Sequence, residues 1–173
     1  MLRVKDVMSA PVISISPDIL VKDASALLAE KNVSGLPVVD GDRLVGIFTE
    51  ADVLRSMRTM KKDLRLVYPS ISSLGIAFQE EVTQREIIEA YNEIGKMSVK
   101  QVMSQNVVSV APDAALNDAI VSMVRKGINR LPVVEKNRLV GIITRGDVIR
   151  GLAKEGANHR DQDSEPTARL PSQ

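Results

Sequence analysis

Apolar positions along the chain fall into two kinds of run. Leu36 to Val39 and Arg43 to Phe48 are short, rich in β-branched residues and bounded by turn residues, which predicts two strands. Asp40-Gly41-Asp42 between them is a tight hairpin signal, because glycine tolerates positive φ. Leu116, Ala119, Ile120, Met123 and Val124 recur instead at i, i+3, i+4, i+7 and i+8, a one-sided helical stripe. Val21 to Lys31 predicts a matching helix with Ala24, Leu27 and Leu28 inward. Val12-Ile13-Ser14-Ile15 reads as a strand before the breaker Ser16-Pro17-Asp18, and Val4 to Met8 as a short helical or irregular lead-in. From Thr49 the pattern returns to helical period, through Val53 and Leu54 toward Met57.

This succession occurs twice. Leu36-Pro37-Val38-Val39 returns as Leu131-Pro132-Val133-Val134, and Gly46-Ile47-Phe48-Thr49-Glu50-Ala51-Asp52 as Gly141-Ile142-Ile143-Thr144-Arg145-Gly146-Asp147, ninety-five residues on. The same offset pairs Val4-Lys5-Asp6-Val7-Met8-Ser9 with Val99-Lys100-Gln101-Val102-Met103-Ser104, and Pro17-Asp18 with Pro112-Asp113. No gap is needed from Val4 to Ile149, and 24 of 51 aligned positions are identical, so the chain carries a duplicated unit. At the second hairpin Glu135-Lys136-Asn137 replaces Asp40-Gly41-Asp42, with Asn137 able to take the unusual backbone. Each unit reads strand, helix, strand, strand, helix, an α/β (α+β) class. Three strands and two helices do not cover both faces of their own sheet, so the two units are expected to pack through their sheets.

The organisation expected is a first repeat over 1–57, an inserted spacer over 58–98, a second repeat over 99–153 and a disordered polar tail over 154–173. The segment between the copies, from Arg55 to Ser98, is too long for a plain loop. It opens on a basic run, Arg55, Arg58, Lys61, Lys62 and Arg65, read as a solvated helix extension in preference to a nucleic-acid contact. Tyr68-Pro69-Ser70-Ile71-Ser72-Ser73 reads as a turn-rich crossing. Thr83 to Lys96 predicts a helix of about 83–96 with Ile87, Ile88, Tyr91 and Ile94 on one face; Thr83-Gln84-Arg85-Glu86 is a capping-box pattern at its start. Its Glu86, Glu89 and Glu93 would repel phosphates, so packing against the repeats or a partner subunit is favoured over DNA reading. After Leu152 the apolar pattern stops, and Gly156, Pro166 and Pro171 punctuate a polar tail.

Composition narrows the classes. Apolar residues make up 44% of 173 and the formal charge is +1, so neither disorder nor binding driven by bulk charge is expected. Without cysteine there are no disulfides or thiolate metal sites, and the single His159 lies in the polar tail, which argues against structural zinc. No apolar run approaches the ~18 residues of a membrane helix, and no signal region follows Met1-Leu2-Arg3-Val4-Lys5, so a cytoplasmic chain is expected. Aromatic residues are only 2%, which disfavours stacking of single-stranded bases.

The candidate chemistry sits at the two Thr-x-x-Asp helix starts. Thr as N-cap accepts from the N3 amide, and an acidic N3 side chain complements the positive helix end, so capping alone accounts for the residues. The same geometry offers amides to an anion and a carboxylate to the hydroxyls of a ribose. No His or Cys nucleophile system and no phosphate-cradling Gly-x-x-x-x-Gly-Lys loop is present, so no enzymatic activity and no catalytic cofactor are expected.

With its Val-Met-Ser lead-in, Pro-Asp before the first helix, Leu-Pro-Val-Val and Gly-x-x-Thr-x-x-Asp, all in two registered copies, the sequence resembles the cystathionine-β-synthase (CBS) domain in its tandem arrangement, the Bateman module. The resemblance covers nearly everything from Val4 to Gly151 except the spacer. It implies clefts that bind adenine nucleotides, AMP, ADP or ATP, or S-adenosylmethionine. It places ribose on Asp52 and Asp147, and ribose or phosphate on Thr49 and Thr144. Adenine would lie against Ile13, Ser14, Val33 and Ser34, with Pro37, in one copy. In the other it would lie against Val108, Ser109, Ile128 and Asn129, with Pro132. Arg130 matches a position where family members carry a basic phosphate ligand. Arg145 lies inside the helix start, with a fork suited to phosphate oxygens. The first copy departs from this: Gly35 stands opposite Arg130 and Glu50 opposite Arg145, so the second site is expected to hold phosphates more tightly.

The resemblance further implies a homodimer whose four repeats form a flat disc, and a regulated protein partner. The function expected is an adenine-nucleotide sensor. Its rivals are an S-adenosylmethionine-type sensor and a constitutive interaction scaffold with vestigial clefts, while a transcriptional regulator using the basic run is disfavoured.

Overall fold

A computed structural model of the chain describes residues 2–60, 67–72, 75–80 and 83–162. The chain divides into two compact units whose limits cut across the sequence repeats: one is Ile13–Val107, and the other joins Met1–Val12 to Val108–Gln173. The lead-in that opens each repeat is therefore built into the unit that carries the other repeat's strands.

In the unit Ile13–Val107, α1 spans Val21–Glu30, β1 Gly35–Asp40, β2 Arg43–Thr49 and α2 Glu50–Met60. Ala24 and Leu28 of α1 are buried as the pattern requires, and Leu27 packs at the cluster's edge. β1 and β2 are antiparallel, with Gly35 opposite Thr49 and Asp40 opposite Arg43, and a register shift between Val38 and Val39. Gly41 makes the turn with φ of 62°, a conformation a side chain would resist. The strand expected over Val12–Ile15 shrinks to one parallel bridge, Ile15 to Val38, whose amide and carbonyl bond Pro37 and Val39. The Ser16-Pro17-Asp18 breaker follows at once and ends the ladder after one residue.

The spacer contributes β3 over Val67–Ser72 and β4 over Gly75–Glu80, an antiparallel hairpin with Val67 opposite Glu80 and Ser72 opposite Gly75. This corrects the expected turn-rich crossing: Pro and Ser are poor strand formers, and main-chain pairing to β4 overrides that local preference. Arg55 and Arg58 of the basic run lie exposed on α2, whereas Lys61, Lys62 and Arg65 fall outside the described residues. α3, Gln84–Gly95, opens with the anticipated capping box: the Thr83 amide and hydroxyl both donate to Glu86 Oε2, at 2.6 and 2.8 Å. It packs on α1 and α2 through Ala90 and Ile94. Ile87, Ile88 and Tyr91, expected on one face with Ile94 for packing on the repeats or a partner subunit, are exposed, and the face turned to α1 and α2 is that of Ala90 and Ile94.

The short helix α4, Val99–Val102, belongs to the second repeat's lead-in and completes this unit's core. Val99 is fully buried among Val21, Leu28, Phe48 and Ile94, a burial worth about 1.5–3 kcal/mol. In strand β2 a Cβ on Gly46 would lie 2.3 Å from Met103 Sδ, so the methionine side chain occupies the space the glycine leaves.

The unit built from Met1–Val12 and Val108–Gln173 repeats these solutions. α5 spans Leu116–Lys126, β5 Arg130–Glu135, β6 Arg138–Thr144 and α6 Arg145–Gln162. Leu116, Ala119 and Met123 are buried, but Val124, at the end of the predicted stripe, is 73% exposed. Val108 to Val110 again supplies a single parallel bridge, Val110 to Val133. The hairpin turn puts both Lys136 (φ 49°) and Asn137 (φ 65°) at positive φ, the type I′ pattern. Val4, in a 3-10 turn over Val4–Asp6, is fully buried here, and Met8 Sδ would stand 2.5 Å from a Cβ on Gly141. α6 runs on past Leu152 to Gln162, beyond the expected end of order. Ala153, Lys154, Glu155 and Ala157 are strong helix formers that need no apolar face. Residues 163–173 of the expected tail lie outside the described residues. Among the described residues no helix is long and apolar enough to cross a membrane.

Candidate functional site

The two Thr-x-x-Asp helix starts form one constellation built twice. In the unit containing α6, Thr144 ends β6 and caps the helix, and Asp147 is the third helical residue. The Thr144 amide and hydroxyl donate to Asp147 Oδ2 at 2.8 and 2.6 Å, and the Asp147 amide donates to Thr144 Oγ1 at 3.3 Å. Oδ1 accepts from Ser9 Oγ at 3.2 Å and from Arg150 Nη2. In the other unit Asp52 Oδ2 accepts from the Thr49 amide and hydroxyl at 2.9 and 2.7 Å. Its Oδ1 accepts from Ser104 Oγ at 2.9 Å and Arg55 Nη1 at 2.8 Å.

Both carboxylates are buried, Asp52 to 1% and Asp147 to 5% exposure. A buried charge is costly unless it is met by donors, and four reach each carboxylate, about its full accepting capacity. At Asp147 burial pushes the carboxyl upward. The Thr144 hydroxyl and amide, Ser9 and Arg150 outweigh it and hold the group below the ordinary aspartate range.

The strand register brings the residues before Leu-Pro-Val-Val to these helix starts. Gly35 lies opposite Thr49, and Arg130 opposite Thr144. The Glu50 amide donates to the Ser34 carbonyl at 3.2 Å, and the Arg145 amide to the Asn129 carbonyl at 3.1 Å. Ser34 with Val33, and Asn129 with Ile128, thus stand beside Thr49 and Thr144. Ile13 and Ser14, and Val108 and Ser109, precede the bridging residues Ile15 and Val110, with Ile13 and Ser109 exposed. Pro37 and Pro132 are buried and offer their carbonyls to the Ile15 and Val110 amides.

The cations divide unevenly. Arg145 is exposed at the first position of α6, and Arg130 is partly buried opposite Thr144. At the corresponding places beside Asp52 stand Glu50, exposed, and Gly35, buried. Among the described residues no cluster of His, Asp and Glu could hold a metal ion.

Four residues of the constellation escaped the sequence reading: Ser9 and Ser104, and Arg55 and Arg150. Both pairs were detectable as identities at the ninety-five-residue offset. The lead-in serine, however, is used by the other repeat's aspartate, a pairing that no alignment of the repeats displays. The adjoining methionine and glycine share that logic: Val packs in the core, Met lies against the strand glycine, and Ser meets the carboxylate. The lead-in backbone is held by reciprocal bonds, Ser9 with Ile142 and Ser104 with Ile47, at 2.8–3.0 Å.

Comparison with known proteins gives a consistent picture. The CBS domain family matches residues 4–59 and 99–154. The uncharacterized protein MJ1426 of Methanocaldococcus jannaschii is 35% identical over 86% of this chain and 90% of its own length. The CBS domain-containing protein YhcV of Bacillus subtilis is 30% identical over 91% of each. Among solved structures, that of CBSX2, an Arabidopsis thaliana CBS-domain protein, in complex with AMP superposes with a TM-score of 0.66 at 29% identity. It covers 90% of this chain and 99% of that one.

Proposed function

The chain belongs to the CBS domain family, carrying the domain twice, and from that premise we propose that it is a cytoplasmic regulatory module that binds an adenine nucleotide, AMP, ADP or ATP, without catalysis of its own. The observation that carries the reading is the register of β5 against β6. It brings Arg130 opposite Thr144, with Arg145 opening α6 and Asp147 one turn in. Two guanidinium groups at a helix start suit phosphate, and a buried carboxylate beside them suits a ribose diol. The complex of CBSX2 with AMP makes AMP the ligand to test first. Ile128 and Asn129, with Val108 and Ser109, supply the apolar and backbone surface for adenine.

The site at Asp52 has Glu50 and Gly35 where the other has Arg145 and Arg130, so it takes phosphates more weakly and favours an adenosyl ligand of lower negative charge, of the S-adenosylmethionine kind. A ligand present at about 100 times its dissociation constant supplies about 2.7 kcal/mol in favour of the conformation that binds it, enough to switch a protein partner's affinity. The module acts as a homodimer, a disc of four domains. Val121, Val124, Ile149 and Leu152, exposed on α5 and α6, support self-association.

One observation favours a second reading. Both carboxylates are already saturated by the chain's own donors, as they would be in a scaffold whose sites stay shut. A thermal-shift panel of AMP, ADP, ATP and S-adenosylmethionine separates the two. The sensor is stabilised by at least one, and that stabilisation is lost in Asp147→Ala. In Arg130→Ala, AMP and ATP lose far more than adenosine. Equal losses for all three remove the phosphate contact from the account, and no shift with any ligand leaves the scaffold.

A further inference from the structure

We propose that Arg150 is an exchangeable stand-in for the ligand: it occupies Asp147 while the site is empty and gives way to the ribose when a nucleotide arrives, then turns to the phosphates. The inference rests on the nucleotide reading above and deepens it. Asp147 holds four donors, and a diol needs acceptor capacity on that same carboxylate. Something already bound to it must leave.

The four donors are not equally free to go. Those on Oδ2 come from Thr144, and losing them uncaps α6. On Oδ1, Ser9 is fixed by the paired backbone bonds between Ser9 and Ile142, though its hydroxyl can turn. Arg150 reaches the carboxylate from a side chain that is 68% exposed, on a flexible stem, so it is the donor that can swing away without disturbing the backbone or the helix cap. Its guanidinium lies over Gly146, where a Cβ would come 3.2 Å from Nη1, within the first turn of α6. Released there, it joins Arg145 at the helix start, where an anion is favoured.

Displacing Arg150 costs every adenosyl ligand the same ion pair, but only a ligand with a phosphate recovers the guanidinium. Arg150 is therefore a selectivity residue, and it penalises nucleosides against nucleotides. The arrangement is repeated at Asp52, where Arg55, 65% exposed, makes the same contact three residues on. There it would serve as the local cation of a site that has Glu50 and Gly35 in place of the two arginines.

The test is isothermal titration of the chain with adenosine and with AMP, in wild type, Arg150→Gln and Arg150→Lys, each checked for cooperative unfolding well above the titration temperature. In Arg150→Gln, adenosine is expected to bind roughly twofold to fivefold more tightly, because no ion pair has to break. AMP is expected to bind roughly threefold to tenfold more weakly, since a charge-assisted contact is gone. Arg150→Lys, which keeps the charge, restores most of the preference for AMP. Parallel changes for both ligands, or no change for either, overturn the exchange and leave the nucleotide site standing. Failure of the wild-type chain to bind either ligand overturns the site and the exchange together.

Discussion

Replacing Gly141 by alanine tests which strand each lead-in packs against. A Cβ there would lie 2.5 Å from Met8 Sδ and 3.2 Å from its Cγ, more than about 1 Å inside ordinary contact, so the methionine must leave its seat. Overpacking of this kind costs about 1–3 kcal/mol, and the loss of glycine's freedom in the unfolded chain returns about 0.4–1 kcal/mol. The net destabilisation is then about 0–2.6 kcal/mol, a fall in melting temperature of up to about 10 °C for a chain of this size. The decisive version is a double-mutant cycle followed by urea and thermal unfolding. With Met8→Ala in place the obstacle is gone, so Gly141→Ala costs almost nothing further, a coupling of about 1 kcal/mol or more. Gly46→Ala keeps its full cost in that background, because its neighbour is Met103, with Sδ 2.3 Å from the added carbon. If Met8→Ala rescues Gly46→Ala instead, each lead-in packs in its own repeat and the interleaved units are wrong.

Other perturbations follow from single contacts. The depressed Asp147 carboxyl contributes stability that is fully present above the unfolded value of about 4 and is lost as pH falls through the lower folded value. Unfolding midpoints measured from pH 6 down to pH 3 should therefore fall more steeply in wild type than in Asp147→Asn, and parallel curves would contradict the assignment. Lys136 holds φ of 49° next to Asn137 in the hairpin turn, so Lys136→Asn should stabilise the chain by about 0.5–1 kcal/mol in thermal unfolding, where an unchanged or lower midpoint counts against the turn geometry. Thr83→Ala removes the cap of α3 and should cost about 1 kcal/mol, seen as faster amide exchange at the start of that helix. Val124→Lys places a charge on the exposed face of α5 and, if the proposed dimer uses that face, shifts light-scattering mass toward the monomer, whereas an unchanged mass removes the face from the proposed dimer.

Much of the architecture was legible because duplication supplies its own control. Helices α1 and α5, the two repeat hairpins and the capped starts of α2 and α6 follow from periodicity and turn residues read twice in register, and the capped start of α3 follows from its own Thr83-Gln84-Arg85-Glu86 pattern. What was not legible depends on tertiary choices. Ile13 and Val108 belong to strand-like runs, yet only Ile15 and Val110 pair, since a turn begins directly after each. Pro69 and Ser70 argue locally against a strand that β4 nonetheless holds by main-chain bonds. The candidate site was visible in Thr49, Asp52, Thr144 and Asp147, because capping and ligand chemistry demand the same residues at that spacing. Ser9 and Ser104 were not visible, because each serves the aspartate of the other repeat, a contact fixed by chain crossing and not by local pattern.

The most direct measurement is a crystal structure of the chain grown with AMP. Ribose hydroxyls are expected within hydrogen-bond distance of Asp147, phosphate on Arg130 and Arg145, and Arg150 moved off the carboxylate. AMP found elsewhere, or no AMP and Asp147 still holding Thr144, Ser9 and Arg150, would contradict that expectation.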